Sequence, residues 1–186
     1  MRWELLFGDL EAQLHESSAQ ELERQINELA RVETAQASLN QAVRGALEAQ
    51  LSLVCVTGAA FHGTVVRVEQ EWLLLDEGAR QVLLPLDKIL TVRGLGGGRV
   101  CAQSKIPYTL TAALRLLAKN RSAVVVELDS ARQGTLRGVL DHVGADYVRL
   151  MQLADGVSRN PENLQGAVVI PLVHVASIAS SPDNEF

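Results

Sequence analysis

Cysteine, proline and aromatic residues are all scarce in this 186-residue chain: two cysteines, five prolines and 4% aromatics. Two thiols, Cys55 and Cys101, make no disulfide framework, and both read as reduced side chains, Cys55 within an apolar strand. Long apolar runs are missing too. None approaches the roughly 20 residues that cross a bilayer, and the opening MRWELLFGDLEAQ carries acids where a secretory leader would be apolar. The expected home is the cytoplasm, with no membrane partner, and the Asn120-Arg121-Ser122 sequon then carries little weight.

Acids are missing from one interval. Between Asp87 and Glu127 there is no Asp or Glu, while Lys88, Arg93, Arg99, Lys105, Arg115, Lys119 and Arg121 fall there. That interval is the candidate anion or nucleic-acid contact, with Arg93, Arg99, Lys105, Arg115, Lys119 and Arg121 as its residues. Residues 1–50 hold nine acids against four arginines, which accounts for the whole chain's charge of −5.

Catalytic signatures are also lacking. His15, His62, His142 and His174 are scattered without metal-site spacing, and no serine or cysteine sits in a nucleophile motif. Asp141 and Asp146 read as turn acids sooner than an acid pair. The GLGGG run from Gly94 to Gly98 lacks the lysine and serine of a phosphate loop and reads as linker. Trp72 and Tyr147 could stack bases, but core or rim positions suit them better. No catalytic residue, metal or cofactor is assigned.

What is present is a core-forming composition, 47% hydrophobic and 21% charged. Trp3, Leu6, Leu10 and Leu14, with Phe7 beside them, form the stripe of a short amphipathic helix and a candidate partner or dimer face. Ser18-Ala19-Gln20-Glu21 reads as a capping box opening a second helix with Leu22, Ile26 and Leu29. This arm, residues 1–38, would either fold on the rest of the chain or dock on a partner or a second copy.

From Leu51 the period becomes alternating: LSLVCV, GTVVRV, WLLL and QVLLPLDKILTV are short strand patterns separated by turn-sized segments. After a Gly-rich linker, 95–108, a helix TLTAALRLLAKN leads into a second series, AVVVEL, TLRGVL, YVRLMQL and AVVIPLVHVASI. The two series superpose. Leu39 and Arg44 fall on Leu110 and Arg115 at offset 71, Gly63, Val68, Trp72 and Leu75 on Gly138, Val143, Tyr147 and Leu150 at 75, and Pro85, Leu86, Ile89 and Val92 on Pro171, Leu172, Val175 and Ile178 at 86. The offset grows only at turns, as a duplication should, because a slip inside a strand would turn its side chains to the wrong face. Each proline is expected at a bend of one continuous strand.

A helix followed by about five short strands, carried by TLTAALRLLAKNRSAVVVEL, GVLDHVGADYVRLMQL and VVIPLVHVASI and more loosely by Leu39 to Val92, resembles the Sm and Sm-like family. The pattern is also similar to an actinobacterial protein group, some of whose members are labelled transcriptional regulators. The resemblance implies an α+β fold: an N-terminal helical arm (1–38), a first Sm-like barrel with its leading helix (39–94), the linker (95–108), a second barrel with its helix (109–180) and a tail (181–186). It also implies RNA binding through an acid and an asparagine after strand two and an arginine-glycine pair in the last hairpin. This chain has Asp141 and Asp146 without the asparagine, Glu69, Gln70 and Glu71 in the first copy, and Leu84-Pro85 or Ile170-Pro171 in place of arginine-glycine. The expected function is therefore non-enzymatic binding, adaptor or regulatory work on a macromolecule, with protein the favoured partner, RNA the alternative, and homo-oligomers an open option.

Overall fold

The computed structural model describes residues 21–28, 37–96, 108–130, 134–153 and 164–180. By its contacts the chain divides into two units, Met1–Ser38 and Leu39–Phe186. Of the first, the structure describes a helix over residues 21–28, α1, all of whose side chains are exposed, Leu22 and Ile26 included. Trp3, Leu6, Phe7, Leu10 and Leu14 lie outside the described residues.

The second unit holds α2 (Leu39–Arg44), α3 (Leu110–Asn120) and ten strands: β1 (Gln50–Cys55), β2 (Ala60–Val68), β3 (Trp72–Asp76), β4 (Gln81–Pro85), β5 (Ile89–Arg93), β6 (Ala123–Leu128), β7 (Thr135–Val143), β8 (Tyr147–Leu153), β9 (Leu164–Pro171) and β10 (Val175–Ser180). All ten join one antiparallel sheet in the order β5-β1-β2-β3-β4-β10-β6-β7-β8-β9.

This corrects the expectation of an α+β fold with two Sm-like small barrels behind a helical arm. Each half has its fifth strand beside its first, but β4 does not pair with β5, nor β9 with β10, so neither half closes. The free edge of β4 pairs instead with β10, Leu83 opposite Ile178 and Val82 opposite Ala179, and the two halves become one open sheet. The single bent strand expected around each proline is also two strands. Pro85 ends β4 and Pro171 ends β9, each followed by one 3-10 turn, Leu86–Lys88 or Leu172–His174, before the next strand. Proline is at home there, because its missing amide leaves no ladder partner unsatisfied at a strand end.

Matched positions of the two strand series make matched backbone hydrogen bonds. Glu69 N–H donates to Trp72 O and Gly144 N–H to Tyr147 O; Leu86 N–H donates to Glu71 O and Leu172 N–H to Asp146 O; Val56 N–H donates to Lys88 O and Asp129 N–H to His174 O. Trp72 stands opposite Pro85 and Tyr147 opposite Pro171. Bulges recur at matched places, between Val65 and Arg67 and between Leu140 and His142, and they let one strand change its buried face partway along. Gly63 and Gly138 are both places of close approach: a Cβ on either would run into the carbonyl of Asp76 or of Met151 on the neighbouring strand.

Alternation explains the core. In β1, Leu51, Leu53 and Cys55 point inward, and in β2 Phe61 and Val65 join them with Val43 of α2. The second cluster gathers Leu114 of α3 with Val124, Val126, Leu140, Val148, Leu150, Ile170 and Ile178. Each half lends side chains to the other: Trp72 and Leu83 belong to the second cluster and Ala179 to the first. Across the same joint Lys88 Nζ meets Asp129 Oδ2 at 2.7 Å, and Gln81 N–H donates to Ser180 Oγ at 2.9 Å.

Candidate binding cleft

The end of the β2–β3 hairpin carries Arg67, Glu69, Glu71 and Trp72, and these four hold the chain as it enters α3. Glu69 is buried. Its carboxylate accepts Arg67 Nε–H at 2.8 Å and Tyr108 N–H at 3.1 Å, and its carbonyl accepts from the Asn40 amide. A buried carboxylate persists only when paired and hydrogen-bonded, and here a cation and a backbone amide meet that need. The Arg67 guanidinium lies over the rings of Trp72 (5.9 Å) and Tyr108 (5.1 Å), a cation–π arrangement with each.

Trp72 Nε1–H donates to Tyr108 O at 2.9 Å, and Glu71 accepts Leu110 N–H at 3.4 Å. Thr109 caps the helix, its side chain accepting Ala112 N–H at 3.2 Å. Acids of the first half thus sit at the N-terminus of the second half's helix, where the exposed amides favour negative charge.

Between this strap, α3 and the β4–β10 joint opens a cleft of about 370 Å³. Leu74, Leu83, Ala113, Leu117, Val124 and Ile178 give it an apolar lining, and Arg67, Gln81, Ser122 and Ser180 supply its polar groups. Leu116 stands exposed at its side. Lys119 is one turn from Leu116 on α3, and Arg121, which ends the helix in the left-handed conformation, directly precedes Ser122. No acid lies on α3 itself, and Lys119 and Arg121 are the charged side chains at its C-terminal end.

Of the sequence-selected cations, Arg115, Lys119 and Arg121 come together on this helix and are exposed, Arg115 donating to Gly144 O at 3.3 Å. Arg93 is exposed at the end of β5, at one limit of the strand order, whereas α3 packs on β7. Arg99 and Lys105 lie outside the described residues.

The remaining candidates have structural partners. Asp141 is ion-paired with Arg149, and Asp146 receives Leu172 N–H on its carbonyl. His62 Nδ1 is 2.8 Å from Ser52 Oγ, and the ring of His142 packs 6.0 Å from that of Tyr147. Among the described residues no three His, Cys, Asp or Glu side chains gather as a metal site. Trp72 is core, and its indole edge serves the strap. Cys55 is buried, and burial, with the charge of Glu127 adding to it, pushes its thiol up to about 11.

Sequence reasoning missed Tyr108 and the cleft, and it named Glu69 only as an acid of the first copy's loop after strand two. Nothing local marks Glu69 as buried, since Tyr108 lies 39 residues away. No family model, curated protein or solved structure matches the chain. Among the described residues no helix is long and apolar enough to cross a membrane.

Proposed function

We propose that the protein is a non-enzymatic binding or adaptor protein of the cytoplasm whose cleft receives an apolar side chain from a protein segment with acids beside it. The observation that supports this reading is the cleft itself: an apolar lining with few polar groups, flanked by Lys119 and Arg121 and by no acid of α3. Apolar pockets with a few placed polar groups are the usual form of a binding site, and an acidic neighbour on the ligand would meet the positive helix. Nucleic acid is the second reading, favoured by Arg115, Lys119 and Arg121 standing exposed on one acid-free helix.

Trp72 reports on both. The chain has two tryptophans, so Trp3→Phe leaves Trp72 as the sole emitter. Titrating this variant with short peptides that carry one Leu or Phe between Asp and Glu residues is expected to shift its emission, and Leu116→Glu to weaken binding by about tenfold, the loss of one good apolar contact plus a like charge. Unchanged emission with every such peptide would sink the protein-segment reading. Binding of single-stranded RNA in its place, lost between about 50 and 200 mM salt, would establish the second.

A further inference from the structure

Each half gives one edge to the β4–β10 joint, and the duplication places a second copy of each edge at the ends of the sheet. β5 is the counterpart of β10, since the bulge that skips Ala176 in β10 skips Leu90 in β5. β9 is the counterpart of β4, each lying beside the third strand of its half and ending in a proline. Equivalent positions differ in burial by whether the edge is covered. Leu83 is 4% exposed in the joint and its counterpart Val169 is 57% exposed; Ala176 is 0% exposed and its counterpart Leu90 is 61% exposed.

A second observation falls on the same edge. A cavity of about 330 Å³ lies beside β9, with Leu128, Leu136, Val168 and Val169 in its wall. Leu128 is buried like its counterpart Cys55, but Leu136 and Val168 are only partly buried and Val169 is exposed, whereas their counterparts Phe61, Val82 and Leu83 are buried core. Asp129 and His174 also line the cavity, and in the first half the counterpart of His174 is Lys88, which meets Asp129 across the joint. Of the matched positions, only Val82 and Leu83 pair with β10, and their counterparts Val168 and Val169 have no strand beside them on that edge.

We propose that β9 of one chain docks on β5 of a second copy in the antiparallel register of β4 on β10, with Val169 opposite Val92 and Val168 opposite Arg93. A second copy is the occupant because the chain already contains the joint it would form. Unpaired amides and apolar side chains on an edge strand are a template for such pairing. The contact uses different surfaces on the two partners, so it propagates head to tail into a ring or a filament. It is weaker than the internal joint. Arg93 stands where Ala179 stands, no counterpart of the Lys88–Asp129 pair exists because Val56 replaces Asp129, and no tether supplies the roughly millimolar effective concentration of a linked pair.

Sedimentation of the full chain over two decades of concentration, from about 10 µM up toward that millimolar range, reads the assembly directly. The mean mass is expected to rise at least to that of a dimer. Leu90→Lys blocks the β5 edge and Val169→Lys the β9 edge; both sites are exposed, so far-UV circular dichroism and melting should match the wild type. Each variant alone should remain monomeric, while an equimolar mixture should form a one-to-one dimer and nothing larger, because each partner retains the edge the other has lost. A monomeric wild type, variants that self-associate as the wild type does, or a mixture without the dimer would each overturn the proposal.

Discussion

β10 and β5 occupy equivalent places in the two halves and share one bulge, yet β10 is buried along nearly its whole length and β5 is mostly exposed. The difference is in the side chains. β10 reads VASIAS and β5 reads ILTVR, so that Ala176, Ser177 and Ala179 replace Leu90, Thr91 and Arg93. Small residues let β4 approach β10, and Ser180 accepts the amide of Gln81 beside the ladder. The same backbone can be a sheet centre or a sheet edge, and the size of a few side chains accompanies the choice.

The comparison can be broken first where the halves are alike. Gly63→Ala and Gly138→Ala each drive a methyl group into a neighbouring strand's carbonyl, and each is expected to cost about 3 kcal/mol in urea denaturation. A site that loses nothing would show that its half is not packed as described.

The next substitutions sharpen the contrast at the joint. Ile178→Ala removes a buried side chain of the second core and should cost about 3 kcal/mol, while Val92→Ala, its half-buried counterpart on the edge, should cost about 1 kcal/mol. Equal losses would mean that β5 is covered in solution. Lys88→Ala leaves Asp129 without its partner, and because Asp129 remains partly solvated the expected loss is about 1–2 kcal/mol. His174→Ala, at the matching but exposed position, should change the stability measured by urea denaturation by no more than about 0.5 kcal/mol.

The smallest effect at neutral pH belongs to Cys55, whose counterpart Leu128 cannot titrate. Its thiol holds a proton in the folded chain to about pH 11, whereas the unfolded thiol releases it near 9. The stabilisation is therefore complete below pH 9 and is lost as pH rises toward 11. Comparing denaturation of the wild type and Cys55→Ala from pH 8 to 10.5 isolates it: the wild type should lose the greater stability above pH 9, and parallel profiles would refute the buried thiol.

The correspondence of the two strand series was legible in the sequence because it leaves local marks. Trp72 and Tyr147, Pro85 and Pro171, and Gly63 and Gly138 keep their spacings, and in the structure each pair plays one role: strand opener, strand terminator and point of close approach. The strand runs were legible through their alternation. Closure was not. Whether β4 meets β5 or β10 depends on which edges come together in space, and the apolar run of QVLLP is the same in either case. The cleft was hidden for a related reason, since its lining is drawn from Arg67 through Ser180. The two cations beside it, Lys119 and Arg121, were visible as part of an acid-free interval, but that interval also took in Arg93, which the fold carries to a different edge.

The joint also bears on the order in which the chain can fold. The amide of Gln81 reaches Ser180 across 99 residues, whereas the hairpins within each half connect near neighbours. Closing so long a loop costs entropy before any contact repays it, and topologies rich in distant pairings fold slowly. Each half can assemble its local hairpins early, but β4 stays an open edge until β10, the last of the described strands, arrives. During synthesis that edge waits for nearly a hundred further residues, a period in which the first half is the part of the protein most exposed to mispairing.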